Sequence, residues 1–426
     1  MKRQRVGAHR LPPVFNLESI EAMDKYALKP RTALELGIMC GFPPPPEKRP
    51  DLTNWDLAPF NRWSFMNVRK LFPTVEVKAD AGNASSLPTS PSDLSSIHFN
   101  SRSGKRVGLT EFLDSSYTDG FMVLHKGVVI HETYGNNMQA DTPHLSQSVA
   151  KSLVGALAGI LYHKGLIDPA APLVDYVPEL KHCGYRDATL SQALSMTSGV
   201  RFIEDYNHPD SDIRRIDVAS GWRPAPVSAS NPTIRDVILT LPQIRPHGEV
   251  FEYRSIETDV VAWAMERATN LSLAQLTSDF IWKPIGAEQD AFYTVDRALT
   301  AQADGGFNAC LRDYARFGLM MQKNGCTESR QVVPSAWVEQ STQHEGSSYG
   351  PPYSDICPSG AYRNFWWLNN ITQGDFMARG VFGQMIYIDR AAELTIVKLS
   401  TWPDYLIREF TRDCLSAFAA IRQHLL

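Results

Sequence analysis

The stretch LSQSVAKSL, Leu145 to Leu153, decides how the rest of the chain is read. Ser148 and Lys151 stand three residues apart in a small and apolar run, so on a helix they project from one face. Val149, Leu153, Leu157 and Ile160 form an apolar stripe beside them, and Gly155 and Gly159 let another element come close. That pattern describes a central, buried helix. Ser146 is expected to cap it, which places Ser148 in the first turn. There the free backbone N–H groups and the positive dipole end favour an alkoxide or oxyanion. A lysine in an apolar wall loses its proton more readily, and the neutral amine can then deprotonate the serine. Such a pair arises by chance about once in a chain this long. Its position adds weight: it is the only Ser-x-x-Lys present and it directly follows a strand hairpin.

That hairpin is FMVLHKGVVIHETYG, Phe121 to Gly135, two short β-branched strands around a Lys126-Gly127 turn. Strands return late, in VFGQMIYID (Val381 to Asp389) and ELTIVKLST (Glu393 to Thr401), and a long amphipathic helix closes the chain. Helical patterns, Pro and Gly dominate between Gly165 and Lys283. Strands early, helices in the middle and strands late imply an α+β fold. Its central antiparallel sheet is flanked by helices, with a mostly helical subdomain inserted. The expected division is an N-terminal extension and linker over 1–95, a sheet domain from 96–150 and 300–426, and the helical subdomain over 151–299. The active site would lie in the crevice between sheet and insertion. Within the extension, NRWSFMNVRKLF (Asn61 to Phe72) is amphipathic at helical spacing, and PPPP (Pro43 to Pro46) is a connector. NASSLPTSPSDLSS (Asn83 to Ser96) reads as a linker or exposed loop.

Composition removes several function classes. The 426 residues are 43% hydrophobic, ample for a sizeable core, and 42 basic against 46 acidic residues leave a net charge of −4. Nucleic-acid binding normally needs a basic face, so it is not expected. The six cysteines are scattered without CxxC or zinc-ligand spacing, which suits reduced residues in the cytoplasm. MKRQR at the N-terminus precedes no apolar core of a signal peptide, and no apolar run is long enough to span a membrane. His131 and His144 are single, and no GxSxG, HExxH or P-loop is present, so neither metal nor other cofactor is expected.

Further segments share a family's order: GLIDPAAPLVDYVPEL (Gly165 to Leu180), LSQALSMTSGVRF (Leu190 to Phe202) and DGGFNACLRDYARFGLMM (Asp304 to Met321). With NRWSF upstream and EDY (Glu204 to Tyr206) after the TSG turn, the chain resembles the serine β-lactamase-like superfamily from about Asn54 onward. Within it the chain is most similar to the class C-like 6-aminohexanoate-dimer hydrolases and related esterases. The resemblance implies a class C β-lactamase-like fold and an acyl-enzyme on Ser148, with Lys151 as base. Tyr253, in Tyr253-Arg254-Ser255 where the family has Tyr-x-Asn, would relay protons, its pKa lowered by the lysine cation. Ser255 would donate a hydrogen bond towards Lys151 or the substrate.

The third family motif, on an edge strand, is altered here to Ala378-Arg379-Gly380. The resemblance places the oxyanion between the N–H groups of Ser148 and Val381, with Gly380 leaving room for the acyl group. Ala378 cannot hold a carboxylate as the family's cationic residue does, and strand alternation turns Arg379 to the other face. β-Lactamase and D,D-peptidase activities are therefore disfavoured. Phe382 stands where some relatives have histidine. Tyr206 matches a tyrosine that contacts the substrate amide, and Trp222 matches a covering tryptophan. The expected function is hydrolysis of a small amide, 6-aminohexanoate-oligomer-like, or of an ester. A short-chain carboxylesterase and a non-catalytic binding or sensor module are the rivals, and the resemblance allows a homodimer.

Overall fold

The computed structural model describes residues 30–80, 82–225, 231–346 and 348–426. The basic N-terminal run and Pro226 lie outside them. The strands, in chain order, are β1 Thr74–Val77, β2 His98–Asn100, β3 Arg106–Gly108, β4 Thr118–His125, β5 Val128–Tyr134 and β6 His144–Leu145. They continue as β7 Ala291–Thr294, β8 Phe307–Ala309, β9 Ala361–Arg363, β10 Trp366–Asn370, β11 Asp375–Gly380, β12 Gln384–Asp389 and β13 Leu394–Ser400. The early and late hairpins join in one antiparallel sheet of order β5-β4-β13-β12-β11-β10-β9, whose centre pairs Ile396 with Val123 and Tyr387. All seven strands come from 96–150 and 300–426.

Residue alternation assigns the two faces of this sheet. Ile386 and Thr395 point at Gly318 in the helix Leu311–Gln322, which lies on one side with the helix Val149–His163. Tyr387, of opposite parity, meets Phe418 in the C-terminal helix Arg408–Leu425 on the other side. A second sheet of order β1-β7-β8-β6 feeds the Ser148 helix from β6. That helix is buried at every residue from Val149 to Leu161. Its glycines permit this: a Cβ on Gly155 would strike the Asn364 carbonyl at 2.1 Å, and one on Gly159 the Trp337 ring at 2.1 Å. Helices and turns, without a strand among the described residues, fill the chain from Leu173 to Thr277, and β7 also falls within 151–299.

Four local expectations are corrected. Asn61 to Phe72 is not one helix but a turn of helix at Asn61–Ser64 and a 3-10 turn at Val68–Lys70. Asn67 ends the first by donating its side-chain N–H to the Trp63 carbonyl at 2.9 Å. Ser146 does not cap the long helix, because its hydroxyl bonds the Gln147 carbonyl; Ser148 is the cap residue itself. Strand β11 lies inside the sheet between β10 and β12, not at its edge. Val381 precedes β12 in a tight turn, Val381–Gly383, where Phe382 has φ 61°. The Ser/Pro-rich stretch is an exposed loop, one of its two expected forms, and it is docked: Ser90 and Ser92 donate N–H to the Val129 and Ile130 carbonyls along the open side of β5.

Candidate active site

The Ser148 helix starts after a sharp reversal. Gln147 has φ 48°, a conformation non-glycine residues avoid, and it turns the chain from β6 into the helix so that Ser148 faces a cavity. One turn on, Lys151 is 1% exposed and its Nζ stands 2.9 Å from Ser148 Oγ. The same Nζ donates to the Asp304 carbonyl at 2.6 Å, which fixes its position. Burial holds Lys151 below the ordinary lysine range, against the pull of the Asp304, Glu204 and Asp259 carboxylates. Lys151 is thus inclined to lose its proton.

Tyr253 and Ser255 come from the turn into the helix Ile256–Thr269. The Tyr253 hydroxyl lies near Ser148 and Ser255, and its ring centroid lies 5.4 Å from Lys151 Nζ. The expected lowering of its pKa is overturned: burial first, and then the Glu204 charge, push the phenol well up. It is a phenol that keeps its proton at neutral pH. Ser255 does not turn to Lys151 either. Its hydroxyl and N–H donate to Glu204 at 2.6 and 2.5 Å, and Tyr206 donates to the same carboxylate at 2.5 Å.

Across the cavity, Gly380 packs on the backbone leading into Ser148. A Cβ there would sit 2.6 Å from the Ser146 carbonyl and 3.0 Å from the Ser148 nitrogen, so only glycine fits. Val381 follows it and also lines the cavity. Ala378 is buried with its side chain on the side of the sheet occupied by the Ser148 helix. Arg379 takes the opposite face, with its guanidinium 5.1 Å from the Trp367 ring, as alternation required.

Of the outer wall, the sequence pointed to Tyr206 and Trp222 but not to Asp56, Asp217 or Tyr405. Trp222 lines the cavity and is held by Trp55, whose indole N–H donates to the Trp222 carbonyl at 2.9 Å. Asp56 accepts from Arg223 with both oxygens at 2.6 Å and from the Tyr405 hydroxyl at 2.7 Å. Arg214 pairs with Asp217 at 2.6 Å and reaches Tyr405 at 3.0 Å. Tyr405 stacks on Tyr206 at 5.1 Å. Burial raises Asp217 to about 7 despite Arg214 and Arg223. The cavity enclosed measures about 30 Å³, room for roughly one water. Among the described residues its walls include Asp56, Asp217 and Asp304 and no cation. A larger cavity, about 430 Å³, lies at the far end of the same helix between Ile160, Phe280 and Val332, and neither Ser148 nor Lys151 borders it.

His144, by contrast, is a satisfied structural residue: Nε2 is 3.1 Å from Asp119, which also takes Arg62 at 2.7 Å. Glu204, Asp259 and Asp304 are the groups around Lys151 that sequence reasoning left without a role, although Glu204 and Asp304 stood inside motifs it quoted.

Residues 110–411 match the model of the Beta-lactamase family. The chain belongs to that family. It is 34% identical over 360 residues to the 6-aminohexanoate-dimer hydrolase of Paenarthrobacter ureafaciens, covering 83% of this chain and 89% of the relative. A solved structure from Bacillus anthracis, assigned to the 6-aminohexanoate-dimer hydrolases, superposes with a TM-score of 0.82 at 30% identity, over 89% of this chain and 98% of that one. A family VIII carboxylesterase shares the fold alone, at TM-score 0.54 and 15% identity over 71% and 92% of the two chains. This Beta-lactamase-family chain is therefore a serine hydrolase with the α+β fold of its relatives. Among the described residues no helix is long and apolar enough to cross a membrane.

Proposed function

We propose that this serine hydrolase cleaves small amides that carry an ammonium group, of the 6-aminohexanoate-oligomer type, through an acyl-enzyme on Ser148. The observation that carries the reading is the 2.9 Å approach of Lys151, whose pKa burial lowers, to Ser148 at a cavity bordered by Asp304. Ser148 Oγ attacks the amide carbonyl as its proton passes to Lys151. The oxyanion is received by the N–H groups of Ser148 and Val381, next to the small Gly380. Tyr253, protonated and in reach of Ser148, hands a proton to the departing nitrogen and is refilled from Lys151. Water then attacks the ester, and the same groups run in reverse.

The substrate class rests on the walls. An ammonium group would meet Asp304, whose Oδ1 has no hydrogen-bond partner among the described residues, since Arg223 already holds Asp56 and Arg214 holds Asp217. An anionic β-lactam would meet the same Asp304 and find only Ala378 in the third motif. The present cavity is too small for such a substrate, so Tyr206, Trp222 or Tyr405 must shift on binding. The six unpaired cysteines support a reducing, cytoplasmic setting. A homodimer, allowed by the resemblance, is tested by light scattering.

Incubation with a p-nitrophenyl alkylphosphonate and intact-mass analysis tests the core of the reading. The unmodified protein should gain one phosphonyl group on Ser148 and Ser148→Ala none. Full labelling of the alanine variant would sink it. One observation favours a second reading, a short-chain carboxylesterase: the Tyr206 hydroxyl is turned to Glu204 and not free to donate to a leaving nitrogen. Tyr206→Phe should lose amide turnover selectively if Tyr206 serves the amide. Equal losses on amide and ester would favour the esterase.

A further inference from the structure

Lys151 lies among more negative charge than an acyl transfer through a lone lysine requires. Carboxyl groups face it from three separate elements. Asp304 lies on the loop between β7 and β8, Asp259 in the first turn of the 256–269 helix, and Glu204 on the loop after the TSG turn. Tyr253 and Ser148 complete its surroundings. A buried cluster of this kind has a price in stability, so the three carboxyls should differ in what they do.

Their surroundings separate them. Glu204 is saturated, taking the Ser255 N–H, the Ser255 hydroxyl and the Tyr206 hydroxyl. Asp259 is a loop anchor: one oxygen accepts the Ala303 N–H at 2.9 Å. Asp259 and Asp304 are each 5% exposed, and each leaves one oxygen, Oδ2 and Oδ1 respectively, without a hydrogen-bond partner among the described residues. Asp304 differs in its place: of the three, it is the one found among the described walls of the cavity beside Ser148. Its backbone carbonyl holds Lys151 Nζ at 2.6 Å, which keeps the carboxyl and the amine in a fixed relation.

We propose that Asp304 is a positioning residue for the acyl transfer: its carboxylate faces the ammonium that Lys151 becomes on taking the Ser148 proton, and so sets the strength of that base. Burial alone would leave Lys151 too weak a base, and a carboxylate alone would hold it permanently protonated. The site combines the two. Of the three charges that oppose the effect of burial on Lys151, Asp304 acts most strongly. The effect is reciprocal: burial lifts Asp304, and a charged Lys151 draws it back down. The carboxylate is thus most firmly ionised when the ammonium needs it, as the Ser148 O–H bond breaks and the Oγ–acyl bond forms.

The inference rests on Ser148 as nucleophile and is tested without knowing the substrate. The rate of Ser148 phosphonylation by a p-nitrophenyl alkylphosphonate is followed from pH 5 to pH 10. In Asp304→Asn the lysine loses its counter-charge, so the acid limb of the profile should move to lower pH by about one to three units. The plateau rate should fall as well, because a weaker base removes the proton less readily. A merely structural role would lower the plateau and leave the limb in place, and that result overturns the proposal. Glu204→Gln and Asp259→Asn should move the limb less than Asp304→Asn. A larger shift in either assigns the role elsewhere and overturns it too. If Asp304→Asn does not fold, Asp304→Glu, which displaces the carboxylate by one methylene, must still move the limb. An unmoved limb is again fatal. Failure of the unmodified protein to be labelled at Ser148 sinks the hydrolase reading and this inference together, whereas labelling with an unmoved limb sinks the inference alone.

Discussion

On one side of the cavity, Ser148, Lys151, Tyr253 and Gly380 are delivered by two buried helix starts and an interior strand. On the other, Asp56, Tyr206, Asp217, Trp222 and Tyr405 come from the N-terminal extension, the insertion and the segment after β13. The first side is fixed by backbone geometry: a one-turn spacing, a left-handed Gln147 and a glycine with no room for a side chain. The second is fixed by side chains bonding one another, through Arg223 on Asp56 and Arg214 on Asp217. A backbone-built side should govern rate, and a side-chain-built side should govern stability and substrate choice.

Lys151→Ala should have the largest effect, a loss of about 10³-fold or more in phosphonylation and turnover, since it removes the base. Folding should survive, because a small apolar residue replaces a buried amine. Gly380→Val comes next. Its side chain must displace the Ser148 backbone, and a shift of that size should slow labelling about 100-fold. Unchanged labelling would place the oxyanion donors elsewhere. Asp56→Ala belongs to the other side: it strands Arg223 and should destabilise the fold by about 3 kcal/mol, seen as a lower Tm. The labelling rate should fall far less than in Lys151→Ala. A comparable fall would break the division between the two sides.

The smallest effect is one of pH dependence. Asp217 has a folded pKa of about 7, above its unfolded value, so its contribution to stability is full below about pH 4. It is lost as pH rises through 7. The stability of the unmodified protein relative to Asp217→Asn should therefore decline between about pH 4 and pH 7. Thermal melts of both proteins across that range check it, and a rising difference would refute the sign.

The same division explains what could be read from the chain. Ser148 and Lys151 were legible because a helix converts a three-residue spacing into contact. The 121–135 hairpin and the terminal helix were legible from their hydrophobic periods. Strands β9 and β10 were not. They meet at Asn364-Phe365, both at positive φ, and a phenylalanine there carries no turn signal. Asp56 gave no hint either. Its partners Arg223 and Tyr405 are 167 and 349 residues away, a distance no local pattern spans. Asp304 and Glu204 stood in quoted motifs, but only the fold turns their carboxyls towards Lys151.

The strip from Pro88 to Ser92 along β5 has a consequence for where this protein can be cut. Its backbone carries the hydrogen bonds that the outermost strand would otherwise offer to solvent or to another chain. The family match begins only at residue 110. A fragment trimmed to that boundary would lose the strip, β1 and the Trp55-Asp56 corner together. It would then present β5 as an adhesive edge. The unit that folds and stays monodisperse is thus longer at its N-terminal side than the unit that defines the family, and the added length is both seal and pocket wall.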